Sequence, residues 1–293
     1  MKAEWMTMQR TAYAVLALAV VLSGCVGVPG PETTEEFNRT VTVAPESGIA
    51  VINRDGNVDV SVREGETVAV RAVKRSIYGQ GELDQVRIEV TEGDPLRIET
   101  VQTGVNPRVS VDYTIEVPPT VLLQRAESSN GRIGLSGVRV NGTEIRTSNG
   151  PIRVGGAPGG DITAATSNGP IEVRGLEGYV TAMTSNGGIT VEDSGGVLGL
   201  QTSNGPISAD IPAVRGDAAI TTSNSRITLR FARDLDIRVV ATTSNGRVTA
   251  DDLPLLLTES SGTRMAGTLG SGGPTIAVTT SNGNIDLEGL RSP

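Results

Sequence analysis

The side chains that most often carry acid–base and metal chemistry are missing from this chain. Histidine is absent, which excludes Ser-His-Asp triads, Cys-His pairs and every cysteine–histidine zinc set. The single cysteine is Cys25, so no intramolecular disulfide can form. Carboxylate and hydroxyl chemistry remain. Paired carboxylates could serve a glycosidase or lyase, but Phe37, Tyr78, Tyr113, Tyr179 and Phe231 are too few aromatics for an obvious sugar-stacking cleft. Calcium could use acidic and amide oxygens, yet Asp59, Asp112, Asp161, Asp193 and Asp251-Asp252 show no recurrent ligand spacing. No catalytic residue, metal ligand or cofactor is assigned. Twenty-five basic against 33 acidic side chains give a net charge of −8, which argues against nucleic acid as a partner.

The hydroxyls and amides, by contrast, are ordered. Thr-Ser-Asn-Gly recurs with its last two residues at Asn149-Gly150, Asn168-Gly169, Asn186-Gly187, Asn204-Gly205, Asn245-Gly246 and Asn282-Gly283. Near-copies end at Asn130-Gly131 and at Asn224-Ser225. Successive asparagines from Asn130 to Asn245 are 19, 19, 18, 18, 20 and 21 residues apart, and the last step is 37, about two periods. Such a period marks a stacked repeat. Counting from each asparagine as zero, position −4 is apolar in all eight repeats and +3 is always Ile or Val. Position +5 is apolar throughout, and a third apolar residue often stands near +8, as at Val138, Ala157 and Leu176.

These inward groups, separated by corners, predict the coils of a β-solenoid of about 18–21 residues per turn. One coil cannot bury its own face, so the core forms by stacking. Ten or so coils would give a rod of roughly 50 Å. An antiparallel hairpin meander is the alternative, because Asn-Gly is also a strong hairpin signal. Either way the corner pairs read as structural turns. Asn and Gly would adopt left-handed backbone angles, stacked asparagines would form a side-chain ladder, and the −2 threonine would face inward with its hydroxyl on turn amides. Ser225 in place of glycine predicts a strained or differently turned corner.

The rest of the chain must carry this stack to its place of work. Ala12 to Leu22 is an apolar run flanked by Lys2 and Arg10 and followed by Leu22-Ser23-Gly24-Cys25. This resembles the lipobox of prokaryotic lipoproteins, implying a signal peptide over 1–24 and lipidation of Cys25. Residues 25–37, with Pro29 and Pro31, read as a flexible tether. Period-two alternation starts at Asn38 and gives less regular coils over 38–120, then the regular repeats over 121–293. No amphipathic helix is expected after the leader. Residues 253–273 break the period and read as an irregular coil or a hairpin, either a binding loop or an insertion tolerated at a surface turn.

With the lipobox, Val51-Ile52-Asn53-Arg54-Asp55-Gly56-Asn57-Val58, Val111-Asp112-Tyr113-Thr114-Ile115-Glu116-Val117-Pro118 and the terminal repeats, residues 38–290 resemble the prokaryotic putative-adhesin β-strand-repeat family of unassigned function. The resemblance implies a right-handed, all-β solenoid on the cell envelope and brings no catalytic residues. The expected protein is non-enzymatic: exported, anchored by lipid in the cell or outer membrane, and adhesin-like or structural, with an envelope protein or glycan as partner. A carbohydrate-active enzyme on a β-helix scaffold and an envelope-stress accessory protein stay open as alternatives.

Overall fold

The structure is a computed structural model and describes residues 31–290. The leader and residues 25–30, including Cys25, lie outside them. The described residues form 23 strands and one four-residue helical turn, Gln80–Leu83, whose Leu83 is fully buried.

Each repeat contributes one strand that ends before its corner and one that starts after it. These two strands do not pair with each other. Ile171 after the corner pairs in parallel with Ile152 of the coil on one side and Ile189 of the coil on the other. Ile162 before the corner pairs with Val180 in the same way. Register is kept from coil to coil, so the +3 residues Ile133, Ile152, Ile171, Ile189, Ile207, Ile227, Ile285 and Val248 form one column. All eight are buried. The +8 residues Val138, Ala157 and Leu176 close the third side of the core. The chain is therefore a β-solenoid and not a hairpin meander. A hairpin would leave the +8 group without an apolar partner, whereas stacking buries all three groups.

The strand order departs from chain order at both ends. From residue 122 to Phe231 the coils stack consecutively. The next coil, built from Ile237–Thr243 and Val248–Asp251, skips one place. The strands Leu256–Ser260 and Arg264–Leu269 then make a hairpin that lies antiparallel on the outer edge of Ile237–Thr243. The chain returns, and Thr275–Thr280 with Ile285–Gly289 fill the vacant place. The 37-residue step is thus the second half of one coil, a capping hairpin and the first half of the wedge coil. The same device operates at the other end. The coil of Gly48–Ile52 and Val58–Val62 is sandwiched between Leu96–Gln102 with Ser110–Val117 on one side and the Leu122–Ser136 coil on the other. Antiparallel strands Val86–Thr91 and Thr67–Ser76 lie beyond. Parallel stacks expose unpaired edges, and antiparallel end strands cover them. Ten coils at about 4.8 Å give a rod of roughly 48 Å between caps.

The tether reading fails at its C-terminal end. A strand spans Thr33–Thr42 and pairs antiparallel with Thr67–Ser76 along its whole length. Its charges explain the extension. Glu36 pairs with Arg71 at 2.9 Å, and Glu35 meets the buried Lys74 at 2.8 Å. The Lys74 ammonium also donates to the carbonyls of Leu83 and Val86. Glu35 is the countercharge without which that lysine would be buried unpaired.

Candidate functional site

The corners stack into four columns. The threonine column is buried. Each hydroxyl donates to the corner carbonyl of the neighbouring coil, as Thr166 does to Gly150, Thr184 to Gly169 and Thr202 to Gly187, at 2.9–3.0 Å, and Thr280 does to Ser225. In three corners it also accepts from its own glycine N–H: Gly187, Gly205 and Gly246. Ser128 and Asn53 hold this place in the first two corners of the column, and both side chains donate to the Gly56 carbonyl. Asn53 further accepts from Thr100, which shares a 2.7 Å hydrogen bond with Tyr113. Burial pushes the Tyr113 phenol up to about 12. The hydroxyl lattice predicts that Thr202→Val, which keeps the shape and removes the donor, lowers stability by about 1–2 kcal/mol, read as a fall of a few degrees in the thermal midpoint.

The asparagine column forms the ladder. Asn149 Nδ2 donates to Asn130 Oδ1 at 2.6 Å, and the chain of bonds continues through Asn168, Asn186, Asn204, Asn224, Asn282 and Asn245 at 2.7–2.8 Å. At its lower end Asn130 donates to the Asp55 carboxylate. The order, with Asn282 between Asn224 and Asn245, is the wedge coil seen from the surface.

The glycine column corrects the expectation of left-handed corners. None of Gly131, Gly150, Gly169, Gly187, Gly205, Gly246 and Gly283 has a positive φ, nor has any of their asparagines. Glycine is needed there for space. A Cβ on Gly150, Gly169, Gly187 or Gly205 would run into the carbonyl of the glycine one coil below. That carbonyl is the one the threonine hydroxyl grips, so the coils are drawn together at the point where only a hydrogen fits. Ser225 is the exception. Its backbone is not left-handed, and its hydroxyl donates to the Asn204 carbonyl at 3.0 Å.

The serine column is different. Threonine and asparagine are committed to the lattice, whereas the serines at −1 are exposed and stand outside it. A trough of about 520 Å³ runs beside them. One wall is Ser129, Ser148, Ser167, Ser185 and Ser203, the other is Glu127, Arg146, Ala165, Met183 and Gln201, and the threonine column is its floor. Charge is confined to one end, where Glu127 bonds Arg125 and Arg146 bonds Glu144. Sequence reasoning found the corner columns and missed the trough, because the −3 wall has no common residue type.

Nothing in the trough resembles a hydrolytic pair. Glu127 is its one carboxylate. Among the described residues, no group of His, Cys, Asp and Glu could hold a metal ion. The two carboxyls with shifted ionisation lie elsewhere and are both lowered, away from general-acid use. Burial works to raise Asp161, but hydrogen bonds from Arg215 and the Tyr179 N–H outweigh it. Asp236 is lowered by hydrogen bonds from the Ser271 N–H and hydroxyl.

The family model of Toastrack DUF4097 matches residues 49–288. No curated protein matches the chain. Among solved structures, it is similar to a putative adhesin from Bacteroides fragilis, at 12% identity and a TM-score of 0.47, covering 90% of this chain and 100% of that one. A putative adhesin from Parabacteroides distasonis aligns at 13% identity and a TM-score of 0.35, over 87% and 97% of the two chains.

Proposed function

The chain belongs to the Toastrack DUF4097 family, and on that premise we propose that it is a non-enzymatic binding module of the cell envelope, adhesin-like in its use. The observation that supports this reading is the trough, in which one row of hydroxyls is left to solvent while every other element of the corner is consumed by the stack. The row repeats at about 4.8 Å, the coil spacing. A ligand that lies along it must be extended and must offer hydrogen-bonding groups at short intervals, as a glycan chain does. Most of the trough is uncharged, which favours a neutral chain over a strongly anionic one. The lone carboxylate, already held by Arg125, disfavours hydrolysis, which needs two carboxyls with separated ionisation.

The lipobox and Cys25 support export and a lipid anchor, with the rod facing away from the cytoplasm. No helix among the described residues is long and apolar enough to cross a membrane. Cys25→Ser is expected to move the protein from the membrane to the soluble fraction on ultracentrifugation, and retention would contradict lipidation at that residue. A glycan array run alongside a depolymerisation assay tests the binding role. Retention of extended neutral glycans without release of reducing ends is the expected result. Turnover would replace this reading with the enzymatic one, and inertness in both would favour an accessory role.

A further inference from the structure

We infer that the N-terminal end of the rod carries a second, non-covalent membrane contact: an apolar patch that seats on the bilayer holding the chain's own anchor. The inference rests on the lipid-anchor reading of Cys25. Six large apolar side chains are exposed among the described residues, and three of them, Ile77, Tyr78 and Val105, fall in two loops at this end. Val105 is 93% exposed, far beyond what an incidental surface valine needs.

The loops are knit into one surface. Ser76 Oγ donates to the Arg108 carbonyl, the Tyr78 N–H donates to Ser76 Oγ, and the Thr103 N–H donates to the Gln85 carbonyl. The Arg108 guanidinium lies 4.6 Å from the centre of the Tyr78 ring. Apolar bodies with phenol and guanidinium groups at their margin suit the boundary between headgroups and acyl chains.

The path of the chain identifies the occupant. Thr33, the first residue of the N-terminal strand, pairs with Ser76, directly before Ile77 and Tyr78. Glu32, Ile77, Pro107 and Arg108 line one hollow of about 430 Å³. Cys25 stands eight residues before Thr33, so even a fully extended connection holds this surface within about 28 Å of the lipidated residue. The opposite end, with exposed Leu256 and Leu257, lies a further 48 Å or so along the stack and is out of that reach. Lipid chains hold a protein at a membrane without setting its orientation, and an apolar surface beside the attachment point supplies the second signal. Seated in this way, the rod stands on its N-terminal cap and keeps the serine trough clear of the bilayer.

The test uses the full lipidated protein in vesicles of phosphatidylethanolamine and phosphatidylglycerol at three to one. With Cys25 acylated, Val105→Cys provides a single free thiol for an environment-sensitive dye, and Leu256→Cys provides the same at the far end. Spin-labelled lipid is expected to quench the dye at 105 at least about twofold more than the dye at 256. Equal and weak quenching at both positions, with the protein still vesicle-bound, would overturn the contact and leave the anchor intact. Mass spectrometry that finds Cys25 unacylated in protein purified from cell membranes would instead remove the anchor reading on which this contact rests.

Discussion

Gly187→Ala is expected to cost about 3 kcal/mol or more, seen as a fall of roughly 10 °C in the thermal midpoint. The added methyl would meet the Gly169 carbonyl and the Pro170 nitrogen, both backbone atoms that belong to the neighbouring coil's corner. Asparagine, the residue that best tolerates left-handed angles, should be at least as damaging at this position. Gly142 is the contrast. Its φ is +65 and a Cβ there would meet nothing, so Gly142→Asn should cost less than about 1 kcal/mol. If the two variants behaved alike, the spatial explanation of the corner glycines would be wrong. Ser225 shows where a side chain can be housed. The step from the coil below to its corner is 20 residues in sequence, whereas the step to Gly187 is 18, with less chain to absorb a shift.

Removing the wedge coil, by ending the chain at Pro274, is expected to unfold residues 237–271 while the coils from 122 to 211 keep their protection in hydrogen exchange. The deleted strands bury Ile276, Val278, Ile285 and Leu287, each at most 1% exposed. Each is worth about 1.5–3 kcal/mol, so the segment between gap and cap loses most of what holds it. Stacks of this kind lose stability locally, because each coil touches only its neighbours. Unchanged protection over 237–271 would mean that the wedge is not where the structure has it.

The period, the inward columns, the buried threonines and the asparagine ladder could all be read before the structure. They depend on residue type at fixed spacing, and alternation reports directly on which side faces the core. The order of the last coils could not be read. Thr222, Thr243 and Thr280 carry nearly the same corner, and nothing in a repeat says which copy it stacks on. Asn282 bonds both Asn224 and Asn245 with the geometry any other pair would have used. The reason for the glycines was also hidden, because a demand for space and a demand for left-handed angles select the same residue. The first half of the strand at Thr33–Thr42 was obscured because it follows Pro29 and Pro31 and lacks alternation, and its countercharges Lys74 and Arg71 lie far along the chain. The trough has one regular wall and one irregular wall, and the regular one is made of serines that a turn would explain equally well.

On the proposed function, the exposed serine column binds the ligand while the rest of the corner only holds the stack together. The direct measurement compares wild type with Ser148→Ala, Ser167→Ala and Ser185→Ala combined, following glycan binding and the unfolding midpoint in the same preparations. Three lost hydroxyls at about 0.5–1.5 kcal/mol each predict at least a tenfold loss of affinity, with the midpoint within about 2 °C of wild type. Unchanged binding by the triple variant would contradict the claim, as would a loss of binding that only accompanies unfolding.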